Sequence, residues 1–168
     1  MTGVHVALLR GVNVGSARRV AMPALRTELE RRGAQDVRTY LQSGNAVFTG
    51  GEDDPAGLVR EALAALGVDG DVLVREGPDL AALVARNPWP ERVDEPTKLN
   101  VGFLSAPGEG TVTRAGPEEE VRFDGSEVWL WYGAGQGRSR LALDVGDRIV
   151  TVRNWRTVTA LAELAAAT

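Results

Sequence analysis

Apolar residues in the first half of the chain occur in two patterns, short runs and helically spaced positions. The short runs predict β-strands that cover residues 4–9, 37–41, 46–48 and 72–74. The helical spacing predicts one helix from Met22 to just before Gly33, and a second one, capped by Asp53 or Asp54, that ends before Gly67. The resulting strand–helix–strand–strand–helix–strand order is typical of a ferredoxin-like unit, in which both helices pack on one face of an antiparallel sheet.

The second half of the chain repeats part of this order. A predicted short helix over residues 79–85 is followed by Asn87-Pro88-Trp89-Pro90, where proline prevents the helix from continuing. Further strands are predicted at residues 99–104, 121–123, 128–131 and 149–152. Between the last two of these strands, a glycine-rich loop leads into a predicted short helix near residues 139–143. After the last strand, Asn154 is the expected cap of a final helix. We expect two α+β subdomains, residues 1–86 and residues 87–168, of which the second is smaller and lacks a clear helix at 105–117.

Composition excludes several kinds of chemistry. The 168 residues include no cysteine and a single histidine, His5, which excludes disulfides, a cysteine nucleophile and metal sites made of thiolates or several histidines. We therefore expect neither a metal nor a cofactor. No apolar run approaches the roughly 20 residues that span a bilayer, and the start of the chain does not resemble a secretory signal. These features predict a cytoplasmic protein with no membrane partner.

Charge is distributed unevenly along the chain. The net charge is −4, but residues 1–50 carry seven arginines and three acidic groups, whereas residues 51–120 carry six basic and fifteen acidic groups. A generally basic nucleic-acid-binding surface is therefore not expected, although a local anion site built from the two chain ends stays open. Because Lys98 is the only lysine, an arginine on the surface is by itself weak evidence of a site.

Four polar clusters lie at predicted turns and element ends, at residues 9–16, 40–45, 135–140 and 151–155. They contain the ten residues that we select as candidate ligand-binding positions: Arg10, Asn13, Gln42, Ser43, Asn45, Arg138, Ser139, Arg140, Arg153 and Asn154. Backbone N–H groups and arginines at such places hold anions, and amides and hydroxyls suit a base edge, a sugar or a phosphate. The first cluster has the spacing of neither a dinucleotide fingerprint nor a Walker loop. Each cluster also has a structural interpretation, with glycines forming tight turns, Asn13 bonding its own backbone and Asn154 capping a helix.

Aromatic and titratable residues add little to these candidates. Trp129 and Trp131 alternate onto one face of a strand, where they either stack nucleotide bases or fill a core, and the core is favoured. His5 lies in an apolar strand with no evident carboxylate partner, and we expect it to be packed rather than catalytic. Acid–base chemistry would have to rest on Tyr40, Tyr132, Lys98 or an acid brought in by folding.

Five motifs, in order along the chain, resemble those of a bacterial family, the domain of unknown function 1697. They are LLRGVNVG at residues 8–15, YLQSGNAVF at 40–48, NP at 87–88, GQGRSRL at 135–141 and TVRNWRTV at 151–158. The chain departs from the family pattern at Ser16, where a second glycine is usual, and at Arg140, where lysine is common. The resemblance implies an α+β protein with two ferredoxin-like subdomains, in which antiparallel sheets carry helices on one face. It implies no activity, and the fold does not supply one.

Three functions stay open on the sequence alone. The leading hypothesis is a binding protein for a phosphate-bearing ligand, a nucleotide or a short RNA, held between the subdomains by Arg10, Arg138, Arg140 and Arg153. The second is a transferase or hydrolase acting on such a ligand, with Lys98 or a tyrosine moving a proton. The third is an interaction module whose motifs only hold the two halves together, in which case the polar side chains bond one another and leave no cleft.

Overall fold

The computed structural model describes residues 3–15 and 18–168, so Ser16 of the first polar cluster lies outside the described residues. The chain has the predicted α+β fold. Its helices are α1 (Met22–Arg31), α2 (Pro55–Ala65), α3 (Gly77–Ala85) and α4 (Trp155–Ala166). Its strands are β1 (Val4–Arg10), β2 (Gln35–Tyr40), β3 (Asn45–Thr49), β4 (Asp71–Glu76), β5 (Leu99–Leu104), β6 (Thr111–Arg114), β7 (Glu119–Asp124), β8 (Glu127–Tyr132), β9 (Ala142–Asp144) and β10 (Val150–Asn154). The chain divides into two compact units, one extending to Arg86 and including residues 160–168, the other covering residues 87–159.

The first unit contains a four-stranded antiparallel sheet in the order β2-β3-β1-β4. With α1 after β1 and α2 after β3, this arrangement is compatible with the predicted ferredoxin-like unit. Pro23 lies in the first turn of α1, and Asp54 caps α2 by accepting a hydrogen bond from the backbone N–H of Gly57 at 2.8 Å. The helices end before Gly33 and Gly67, whose φ angles of 96° and 73° favour glycine. The sequence predicted each of these helix ends.

The core of the first unit lies between one face of this sheet and helices α1 and α2. Fully or almost fully buried side chains from both layers form it: Ala7, Leu9, Phe48, Leu25, Leu29, Val59 and Leu63. Burying one large apolar side chain of this kind contributes about 1.5–3 kcal/mol to folding. The core therefore holds rigidly the carboxyl end of β1 and the β2–β3 turn, where the first two polar clusters lie.

The second unit has a sheet in the order β10-β5-β8-β7 and a separate two-stranded sheet of β6 and β9. Counted in chain order, its four main strands are arranged as in the first unit. In place of α1 and α2, however, the connections carry β6 and β9. The first unit thus covers its sheet with helices, whereas the corresponding connections of the second unit form a β-ribbon.

The predicted short helix near residues 139–143 is wrong. Residues 136–138 form a single 3-10 turn, and β9 begins at Ala142. Leu141 and Leu143 both pack against the buried cluster of Val128, Leu130 and Tyr132. Residues two apart share a face in a strand but not in a helix, so packing both leucines on one cluster requires an extended backbone.

Helix α4 follows β10 directly and begins with the predicted cap. Asn154 Oδ1 accepts a hydrogen bond from the backbone N–H of Thr157 at 3.0 Å. The ring of Trp155 lies 5.9 Å from that of Trp129, which is 1% exposed. Trp129 is therefore a core residue, as favoured above. No helix in the described part of the chain is long and apolar enough to cross a membrane.

Candidate functional site

Asn13 connects the loop after β1 to the turn between β2 and β3. Its Nδ2 donates to the backbone carbonyls of Gln42 at 2.8 Å and Val20 at 3.0 Å, and its Oδ1 accepts from Val20 N–H at 2.7 Å. Its φ of 53° lies in the left-handed region, which asparagine tolerates better than most residues. The amide of Asn13 therefore holds two loops together, rather than bonding the backbone of its own turn.

The turn between β2 and β3 is held by a second asparagine. Asn45 is completely buried and donates from Nδ2 to the carbonyl of Tyr40 at 2.8 Å and to Ser43 Oγ at 3.3 Å. The Gln42 side chain is exposed, as is Ser43. The first two clusters thus bond largely to each other, and at the turn the side chains of Leu41, Gln42 and Ser43 face solvent.

Arg10 lies at the carboxyl end of β1 and is already paired. Its Nη1 donates to Asp71 Oδ2 at 3.0 Å, and the two side chains are 52% and 41% exposed. An exposed pair of this kind contributes only about 0–1 kcal/mol. An anion that bound Arg10 would therefore have to displace a weak ion pair.

Arg153 and Asn154 are directed into the protein. Arg153 is 8% exposed, and its Nη1 donates to Thr151 Oγ1 at 2.8 Å and to the carbonyl of Val152 at 3.1 Å. Burial lowers the pKa of the Arg153 guanidinium to about 10. Since Asn154 caps α4, both residues of the fourth cluster have structural partners.

Three candidate residues of the third cluster meet at a cavity within the second unit. The cavity has a volume of about 320 Å³. Its polar lining consists of Arg114, Arg138, Arg140, Ser139, Glu118 and Glu119, and its apolar lining includes Ala115, Pro117 and Ala134. All three arginines are exposed and form no ion pair with any described residue. Three positive charges therefore face two negative ones, with apolar walls between them.

Glu119 organises one wall of this cavity. Its Oε1 accepts from the backbone N–H of Gly116 at 2.6 Å, and its Oε2 accepts the proton of the Ser139 hydroxyl. Ser139 Oγ also accepts from Leu141 N–H at 3.0 Å. Tyr132 lies opposite Glu119 on the neighbouring strand. The pKa of Tyr132 is raised, mainly by burial and further by the charge of Glu119. The Ser139 proton thus points at a carboxylate rather than into the open cavity.

Other titratable residues singled out in the sequence lie outside the cavity lining. Lys98 Nζ donates to Glu95 Oε1 at 2.7 Å. His5 is 4% exposed and packs beside Phe48, as expected, but its Nδ1 lies 2.9 Å from Glu76 Oε1, a partner that the sequence did not reveal. Among residues 3–15 and 18–168, no three side chains of the His, Cys, Asp and Glu types gather as a metal site would require.

Sequence reasoning missed three polar residues of the cavity, Arg114, Glu118 and Glu119. Arg114 belongs to the exposed strand β6, which has no apolar pattern to mark it, and it reaches the cavity because it pairs with Ala142 of β9. Glu119 is one of three consecutive glutamates in the acidic stretch of residues 51–120, in which no candidate ligand-binding position was selected. Its pairing opposite Tyr132 brings it to the sheet face that carries the ribbon.

Comparison with known proteins supports the family resemblance. The structure is similar to that of the conserved bacterial protein SP0830 from Streptococcus pneumoniae, with a TM-score of 0.68, 20% identity, and coverage of 98% of this chain and 99% of that chain. This likeness shows the fold alone. No curated protein matches the chain. The model of a family described as "Protein of unknown function (DUF1697)" matches residues 1–129, about three quarters of the sequence. The chain therefore belongs to the DUF1697 family, as its motifs predicted.

Proposed function

We propose that the protein binds a small phosphate-bearing molecule in the cavity of the second unit. Arg114, Arg138 and Arg140 hold the phosphate. The observation that carries this proposal is that three unpaired arginines, from β6 and from the loop before β9, converge on one cavity. A single exposed arginine means little in this arginine-rich chain, but three arginines against two glutamates give this cavity an excess of positive charge, which an anionic ligand offsets.

Guanidinium groups suit a phosphate because their fork of N–H donors matches two of its oxygens at once. Glu119 does not compete for these arginines, since its oxygens are occupied by Gly116 and Ser139. The carboxylate of Glu118 forms no hydrogen bond or ion pair with a described residue and lines the same cavity. It is suited to accept a hydrogen bond from a hydroxyl or amino group of the ligand.

The size and lining of the cavity favour a small molecule over RNA. A volume of about 320 Å³ is at the lower end of the range for small-molecule sites. A single RNA strand would need open aromatic faces on which its bases stack. Trp129 is buried, and Trp131 has the guanidinium of Arg92 lying 4.7 Å from its ring centroid. These aromatic residues serve the core and a cation–π contact.

The two other hypotheses receive different support. In the first unit the polar motif side chains bond one another, which favours a structural role for the first two motifs. An enzyme that depends on Lys98 or Tyr132 is disfavoured, because Lys98 pairs with Glu95, and Tyr132 is buried and does not line the cavity.

Isothermal titration calorimetry with inorganic phosphate, pyrophosphate and adenosine monophosphate tests the proposal. A charge-assisted hydrogen bond contributes about 1.5–3 kcal/mol, so Arg138→Ala, Arg140→Ala and Arg114→Ala are each expected to weaken binding about 10- to 150-fold. Arg122→Ala is the matched control. Arg122 is exposed in the same unit, but lies on the face of β7 opposite to Glu119. Absence of binding, or equal weakening by Arg122→Ala, would contradict the proposal.

A further inference from the structure

We infer that Ser139 is a nucleophile and Glu119 its general base in the hydrolysis of a phosphoanhydride, by way of a phosphoserine intermediate. This inference rests on the proposed function, because the reaction takes place in the same cavity. It adds a chemical step to phosphate binding and assigns that step to two residues whose contact only the folded chain creates. The substrate class is a compound with a phosphate or acyl group linked to phosphate through an anhydride bond.

The hydrogen bonds around Ser139 follow the arrangement of an activated hydroxyl. Its proton is donated to Glu119 Oε2, while Gly116 N–H at 2.6 Å fixes the other carboxylate oxygen. A nucleophile, a base in contact with it and a group that orients the base are the three parts that such sites share. Leu141 N–H, 3.0 Å from Ser139 Oγ, donates to the oxygen as negative charge develops there. A serine that only stabilised a local turn would need the Leu141 contact but not the carboxylate.

Ser139 also lies where it can meet a phosphate. It is half-buried and lines the cavity together with Arg114, Arg138 and Arg140. These arginines neutralise the charge that otherwise repels an oxygen nucleophile from a phosphate, and they stabilise the charge that develops on the transferred group.

The composition of the cavity indicates the type of leaving group. No lysine or histidine lines it, and the proton that Glu119 takes from Ser139 is returned to Ser139 in the second step, so no proton is left for an alkoxide. A phosphate or carboxylate needs no such proton, because it leaves as a stable anion. Anhydrides are therefore favoured over esters of simple alcohols.

The reaction balances with water as the second reactant. In the first step, Ser139 Oγ bonds to phosphorus, its proton moves to Glu119, and the anhydride P–O bond breaks with its electron pair on the leaving anion. In the second step, water attacks phosphorus, the Ser139–phosphorus bond breaks, Glu119 returns its proton to Ser139 Oγ, and one proton from water is released to solvent. The net reaction is hydrolysis of the anhydride to two acids.

The experiment measures phosphate release from acetyl phosphate, pyrophosphate and ATP, together with tandem mass spectrometry of the quenched protein. We expect phosphorylation at Ser139. Glu119→Gln is expected to lower turnover by about 10²- to 10⁴-fold, the usual range for removing a general base, and Ser139→Ala, which removes the nucleophile, at least as much. Pyrophosphate affinity, measured by calorimetry, should change little in Ser139→Ala, because the hydroxyl proton points to Glu119. Ser105→Ala is the matched control, since its hydroxyl also accepts a backbone N–H, from Ile149 at 2.8 Å.

The outcomes separate this inference from the function on which it rests. Turnover that is lost in Ser139→Ala and kept in Ser105→Ala, with phosphate found on Ser139, supports the nucleophile. If pyrophosphate binds without turnover, or if Ser139→Ala turns over at the wild-type rate, the assignment of Ser139 as nucleophile is overturned. The proposal that the cavity binds phosphate is then unaffected. If the wild type binds none of inorganic phosphate, pyrophosphate and adenosine monophosphate, both the nucleophile assignment and the proposed binding function are overturned.

Discussion

Replacing Gly44 by alanine tests how tightly the β2–β3 turn is packed against β1. Gly44 has a φ of 95°, and its carbonyl accepts a hydrogen bond from Leu9 N–H at 2.9 Å. A Cβ at this position would lie 2.8 Å from Leu9 Cβ and 2.9 Å from Val12 Cγ2, closer than carbon atoms approach in folded proteins. The left-handed backbone costs alanine about 1–2 kcal/mol, and the overlap adds about 1–3 kcal/mol. We therefore expect Gly44→Ala to lower the free energy of unfolding by about 2–5 kcal/mol.

Gly33→Ala separates the two contributions. Gly33 has a φ of 96°, but an added Cβ would meet no atom within 4 Å, so only the backbone contribution remains. Urea unfolding of both variants should be followed by far-ultraviolet circular dichroism, because all four tryptophans lie in the second unit and report on that unit. If the two variants differ by less than about 0.5 kcal/mol, the steric contribution of about 1–3 kcal/mol is refuted.

Two further predictions concern polar groups. Asn13→Ala is expected to cost about 1–3 kcal/mol, because it leaves the N–H of the buried Val20 without its acceptor; urea unfolding measures this loss, and an effect below 0.5 kcal/mol would contradict the role of Asn13 in joining the loops. Tyr132→Phe is expected to change the pH dependence of stability. The folded pKa of Tyr132 is raised, so the folded chain keeps this proton after the unfolded chain loses it at about pH 10. The stabilisation that Tyr132 contributes is therefore complete below about pH 10 and declines above it. Thermal unfolding on both sides of pH 10 should show a smaller decline in Tyr132→Phe than in the wild type or in Tyr40→Phe, the other tyrosine, and equal declines would refute the assignment.

Much of the fold could be predicted because its signals are local. The strand at residues 99–104 was predicted with its observed bounds, since four of its six residues are large and apolar, and the strand is buried on both faces. Pro23, Asp54 and Gly33 marked helix ends because a fixed φ, a capping oxygen and a positive φ are properties of single residues. The family motifs likewise depend only on residue order.

The polar motifs were found as clusters, but their roles were not determined by the sequence. Asn13, Asn45 and Arg153 have residue types that suit a ligand as well as a structural hydrogen bond. Burial and the position of neighbouring carbonyls distinguish the two roles, and both depend on how distant segments pack.

By itself, the sequence determined the α+β class, most helices and strands, the absence of cysteine chemistry and the family. The tertiary structure alone brought Arg114 beside Arg138 and Ser139 against Glu119. Residues 111–114 are all exposed, so β6 has no apolar alternation to mark it, and it forms a strand because β9 pairs with it. Local sequence patterns indicate which side chains become buried on folding. A site built from exposed polar residues leaves no such pattern, because it depends on strand pairing between segments that are distant in sequence.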